Sequence, residues 1–107
     1  MNDHDLLRLA AKAAGYEFLE VVAHGCALVR KSPNLRGYHR WAPLTDDGDA
    51  LRLAVKLGLD IFSRPAQWAE CGRIGKQGFR EKYAGDPYAA TRLAITRAAA
   101  EIGAQQE

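Results

Sequence analysis

Little in this sequence is set up for covalent chemistry, for a membrane or for a disulfide-stapled scaffold. Two cysteines, Cys26 and Cys71, stand in 107 residues; so few give no disulfide framework, and they are expected as free thiols in a reducing compartment. No apolar run approaches the roughly 20 residues that cross a bilayer. The opening "MNDHDLLRLAAKAAG" places acids before its apolar residues, without the order of charge, apolar stretch and cleavage site that marks a signal peptide. The expected location is therefore cytoplasmic. Neither sign of charge dominates: 15 Lys and Arg oppose 13 Asp and Glu, a formal net charge of +2. That is too small to argue for nucleic acid by itself. Repeats, linkers and low-complexity tracts are also absent.

What is present is ordinary globular composition, 48% hydrophobic and 26% charged, in a length that suits one domain over residues 1–107. Residues 3–14 have helical periodicity, with Asn2 or Asp3 as cap and Gly15 as stop. "YEFLEVV" and "CALVRK" are β-rich and separated by "AHG", which predicts a hairpin. Ser32 to Leu44, with Pro33, Asn34, Gly37 and Pro43, has loop chemistry. A second helix starts at Thr45 or Asp46 and ends at Gly58, keeping Ala50, Leu51, Ala54, Val55 and Leu57 for burial. "LDIFSR" reads as a strand stopped by Pro65, and "QWAECGRI" with "GFREKYA" as a second hairpin. In the last helix Asp86 caps, Pro87 takes the first position, and Gly103 stops. Its buried stripe is expected to be Tyr88, Thr91, Ile95, Ala98, Ala99 and Ile102. Leu93 lies on a second face, whose expected partner is the first helix of the same chain rather than a second subunit. The order α-β-β-α-β-β-β-α predicts an α+β domain: one antiparallel sheet with three helices packed on it.

"TDDGD", residues 45–49, is the first place to look for a site. A calcium loop of the EF-hand kind spreads oxygen ligands over twelve residues and ends in a bidentate glutamate. Counting twelve from Asp46 ends on Leu57, inside the helical pattern. Three carboxylates at a helix start are explained by capping and by the positive end of the helix dipole. For zinc, His24-x-Cys26 lacks the paired close spacing of structural sites, and His39 and Cys71 are distant. "GRIGKQG" has neither the spacing nor the hydroxyl of a phosphate-binding loop. No elbow or local signature surrounds either cysteine. The expectation is no catalytic residue, no metal, no cofactor and no enzyme; a small hydrolase using Cys26 or Cys71 is the least favoured alternative.

Two segments interleave cations with rings. "RKSPNLRGYHRW" carries Arg30, Lys31, Arg36, Tyr38, His39 and Arg40 before Trp41. "GRIGKQGFREKY" carries Arg73, Lys76, Arg80 and Lys82 beside Phe79 and Tyr83. Such surfaces suit a partner's anionic groups, single-stranded nucleic acid or a nucleotide. The competing reading places Trp41, Phe79 and Tyr83 in the core and leaves the charges to solvate loops, with Trp68 in a strand and also core.

"WAPLTDDGDALRLAVKLGLDI" and "GDPYAATRLAITRAAAEIG" resemble segments of a family of small tailed-phage and prophage proteins, distantly similar to the NinX-like proteins. The resemblance covers the second half of the chain well and the first helix loosely. No catalytic residue comes with it. It implies an accessory protein in the cytoplasm of an infected or lysogenic bacterial host, monomer or homodimer. By analogy its partner is a host protein or ribonucleoprotein, inhibited as a counter-defence measure of the anti-CRISPR kind. The alternative is a module that binds nucleic acid or a nucleotide signal through residues 30–41 and 73–83.

Overall fold

The computed structural model describes residues 2–32, 36–64, 68–72, 78–82 and 85–107. Helix α1 spans Asp3–Ala13, and Asn2 caps it by accepting from the Asp5 amide at 2.8 Å. Strands β1 (Glu17–Ala23) and β2 (Cys26–Arg30) form the expected hairpin around His24 and Gly25. Gly25 has φ +68°, and a Cβ there would come within 2.7 Å of Thr45 Cγ2. The turn thus needs glycine for conformation and for room.

A third strand, β3 (His39–Trp41), runs antiparallel to β2 within the segment whose prolines and glycines predicted loop. The strand follows from a tertiary fact. Trp41 stands opposite Ala27 and is 2% exposed, its ring edge-on to Tyr16 at 5.5 Å. Burying an indole drags its backbone against β2.

Helix α2 (Asp47–Leu57) is capped by Asp46, which accepts from the Asp49 amide at 2.8 Å, and ends at Gly58 with φ +64°. Asp49 accepts instead from the Ala42 amide at 2.9 Å and from Arg52 at 2.8 Å. Strands β4 (Asp60–Arg64), β5 (Trp68–Gly72) and β6 (Phe79–Lys82) follow, and then α3 (Pro87–Gln105), capped by Asp86.

The expected single sheet is instead two three-stranded antiparallel sheets, ordered β1-β2-β3 and β4-β5-β6. With three helices the class remains α+β. The strands separate because they serve different helices: β1 packs on α1, whereas β5 and β6 pack on α3. Both sheets nevertheless share one core, in which Ala27, Val29 and Trp41 join Cys71, Leu7, Leu53 and Ile95.

Helices α1 and α3 cross closely. Leu6, Leu9 and Ala100 form a second buried cluster, against which Leu93 packs. At Gly103 an added Cβ would lie 2.0 Å from the Leu9 carbonyl oxygen. Helix α3 passes through this glycine to Gln105 rather than stopping there. Its one buried hydroxyl, Thr96, donates to the Arg92 carbonyl at 2.8 Å. Among the described residues no helix is long and apolar enough to cross a membrane.

A candidate docking groove

Two apolar assignments fail, and they fail in the same place. On α2 the buried residues are Ala50, Leu53 and Ala54, while Leu51 is 57% exposed and Val55 73%. On α3, Tyr88 heads the expected stripe yet is 68% exposed. The sequence pattern shows only that α2 carries more apolar surface than one contact covers. Which flank is covered depends on where α3 lies.

Leu51 and Tyr88 look onto a common groove of about 330 Å³. Its walls are α2 (Asp47, Ala50, Leu51), the first turns of α3 (Tyr88, Thr91, Arg92, Ile95) and β4 (Ile61, Ser63). Register explains the contribution of β4. Ile61 and Ser63 stand opposite Cys71 and Ala69, which are buried, so they share the helix-facing side of the sheet. Ile61 is 38% exposed in the groove, and Phe62, on the other face of β4, is 62% exposed. Arg92 pins one end: its Nη1 reaches Asp47 at 2.6 Å and its Nε donates to the Leu44 carbonyl at 3.0 Å. That bridge ties α3 to the start of α2 and holds the walls apart at a set distance.

The cationic segments are distributed differently from the groove. Arg30, His39 and Arg40 belong to the first sheet, whereas Arg80 and Lys82 belong to the second. Arg73, Lys76 and Tyr83 lie outside the described residues. Arg30 pairs with Glu17 and lies over the Tyr38 ring, whose hydroxyl donates to Glu17 at 3.2 Å. Lys31 and Lys56 both sit over Tyr16. Arg80 covers the half-buried Trp68 at 4.3 Å and faces Glu70 at 3.9 Å. Phe79 lies under Arg97, which pairs with Glu81. Most rings are thus already sheathed by the chain's own cations. Arg36, His39 and Arg40 are exposed and, like Lys82, have no ion partner among the described residues.

The remaining chemistry is muted. Burial, with a smaller contribution from Asp60, pushes the Cys71 thiol up to about 12. At neutral pH it is a protonated core side chain rather than a nucleophile. Cys26 is buried and free. Burial also raises the Tyr16 phenol, and Asp49 adds to this. Among the described residues no three His, Cys, Asp or Glu side chains are grouped to hold a metal ion.

The exposed apolar flank of α2, from which Leu51 enters the groove, is within reach of the sequence in one respect. Leu51 and Val55 are four apart, a second apolar stripe beside that of Ala50, Leu53 and Ala54. No pattern in the chain, however, says that this stripe rather than the other is left exposed. No protein-family model matches the sequence, and neither a curated protein nor a solved structure shows significant similarity to it.

Proposed function

We propose that this chain is a non-enzymatic binding protein that docks a protein partner in the groove between α2, β4 and α3. One observation carries the reading: Leu51, Ile61 and Tyr88 are large, apolar and exposed, and they line a single groove. Scattered apolar residues on a surface are normal, but a contiguous patch in a concave setting marks an interaction site. Fully burying one such side chain is worth about 1.5–3 kcal/mol. Each is already part-covered, so a truncation at Leu51 or Tyr88 should weaken binding by about 1 kcal/mol, roughly five-fold. The resemblance to accessory phage proteins supports a host factor as the partner and inhibition as the outcome.

The second reading, nucleic acid on the first sheet, draws its support from Arg36 and Arg40, which with His39 are exposed around β3 and have no ion partner among the described residues. It has few open rings to stack on: Trp41 is buried and Tyr38 is held by Arg30 and Glu17. Tagged wild type, Leu51→Ser with Tyr88→Ser, and Arg36→Ala with Arg40→Ala separate the two by capture from nuclease-treated host lysate. Protein capture lost only in the groove variant supports docking there. Protein capture that survives in the groove variant overturns it, and nucleic acid recovered from untreated lysate and lost only in the arginine variant favours the second reading.

A further inference from the structure

Helix α3 packs on one face of the second sheet, the face that carries the buried Ala69 and Cys71. Register sets what stands on the other. Asp60 lies opposite Gly72, Phe62 opposite Glu70 and Glu70 opposite Arg80, and Trp68 opposite Lys82. Asp60, Phe62, Arg80 and Lys82 are exposed there, while Trp68 and Glu70 are half-buried. Phe62, at 62%, is a large apolar side chain left open outside the groove.

The charges of this outer face are sorted by corner. Asp60 begins β4 and Lys82 ends β6, and neither has an ion partner among the described residues. Strands lie about 4.8 Å apart and alternate residues about 6.8 Å apart along a strand, so the two are diagonally opposite and about 17 Å from each other. They cannot pair within one chain. Glu70 lies midway between them, with Arg80 3.9 Å away and covering the Trp68 ring. A nucleic-acid strand does not suit a face on which Asp60 and Glu70 stand among the cations.

We propose that this face is self-complementary and seats a second copy of the chain across a two-fold axis through Glu70. The axis lies in the interface, perpendicular to the line from Asp60 to Lys82, and so lays each Asp60 on the second copy's Lys82. On the same flat grid it brings each Phe62 within about 3 Å, in projection, of the second copy's Trp68. Arg80 falls over the second copy's Gly72, which has no side chain to obstruct it. The two Glu70 carboxylates meet at the axis, each with its own Arg80 beside it. The strands then cross at about 70°, near the orthogonal class of sheet packing. The three strands make a face of roughly 14 by 17 Å, far below the roughly 800 Å² that a standard interface buries on each side. The dimer is therefore weak and reversible. Because the groove lies on the α3 side of the sheet, pairing of the outer faces leaves both grooves free.

The test uses the full chain at about 50 mM salt, where exposed charges are only partly screened. Light scattering from about 10 µM to about 1 mM should rise from the monomer toward the dimer mass. Trp68 emission should shift to the blue over the same range, since Trp41 is already only 2% exposed. Phe62→Ser should weaken association at least about five-fold. Asp60→Lys and Lys82→Glu should each weaken it at least about three-fold, because each breaks its contact twice per dimer. An equimolar mixture of those two variants should recover the wild-type affinity within about two-fold, since the mixed dimer again pairs opposite charges at both corners. Leu51→Ser, in the groove, should leave association unchanged. A chain that stays monomeric throughout overturns the proposal, and so does a dimer that Phe62→Ser leaves intact. A mixture that associates no better than its components refutes the two-fold arrangement. Association lost in Leu51→Ser but kept in Phe62→Ser would put the second copy in the groove and end the proposal.

Discussion

Replacing Gly103 with Ala tests the closest approach in the molecule. In an exposed helix interior this change stabilises by about 1 kcal/mol, since glycine is a poor helix former. Here the new Cβ would sit 2.0 Å from the Leu9 carbonyl oxygen and 2.8 Å from the carbonyl carbon. Ordinary contacts between carbon and oxygen are more than 1 Å longer. The obstacle is backbone, so no rotamer change relieves it; α1 and α3 must move apart. That loosens Leu6, Leu9 and Ala100, with Leu93 packed against them. Overpacking costs typically about 1–3 kcal/mol, and a backbone clash belongs at or above the upper end. Set against the helix-propensity gain, the net loss is about 2 kcal/mol, a fall in Tm of roughly 10 °C for a domain this size. Circular-dichroism melting, with denaturant unfolding as a second measure, reads the effect. Ala104→Gly, on the exposed next position, serves as the control and should lose only about 1 kcal/mol. A Gly103→Ala protein that melts at or above the wild-type temperature would refute the α1–α3 crossing.

The three aspartates of the "TDDGD" stretch should separate. Asp46→Ala removes a cap and costs about 1 kcal/mol. Asp49→Ala strands the Ala42 amide and costs about 1–3 kcal/mol, whereas Asp47→Ala, which breaks an exposed pair with Arg92, costs within about 1 kcal/mol. Calcium or magnesium should leave the wild-type Tm unchanged; a metal-dependent rise that vanishes in these variants would revive a cation site. Leu93→Asp should lower Tm with no change in oligomeric state by light scattering, because Leu93 packs against the α1–α3 cluster; a fully stable monomer from a wild-type dimer would contradict this. Cys71 should resist iodoacetamide at pH 8 until the chain is denatured, and Cys71→Ser should leave binding intact. Its folded pKa is raised, so its contribution to stability is full below about pH 9 and is lost as pH rises toward about 12; a melting temperature flat across that range would show that Cys71 is not held in the core.

The ends of the helices are legible from local sequence because capping is local. Asn2, Asp46 and Asp86 each accept an amide two or three residues on, and Gly58 takes the left-handed conformation that ends α2. Gly103 shows the limit of the same logic. Glycine stops a helix or permits close approach, and the Leu9 backbone that decides between the two lies 94 positions away in sequence. The Pro- and Gly-rich stretch before Trp41 reads as loop on local propensity, and β3 forms there because Trp41 needs the space opposite Ala27.

Amphipathic periodicity is likewise a property of the chain, and it correctly marks Ala50 and Ala54 of α2 for burial. It does not distinguish Leu53, which is buried, from Leu51 and Val55, which are exposed. All three are apolar at helical spacing, and only the packing of α2 against α3 and the core decides which are covered. The cationic segments carry the opposite lesson. Charge and rings stand close in sequence, but the Arg30–Glu17, Arg80–Glu70 and Arg97–Glu81 pairs are made across strands and between strand and helix. The sequence alone determines three capped helices, β-rich segments between them and an excess of apolar surface on α2. The tertiary structure decides that the strands divide into two sheets and that α2, α3 and β4 leave a groove between them. Which strands pair, and which helix each sheet packs on, depends on contacts between residues far apart in sequence, and no local pattern contains that information.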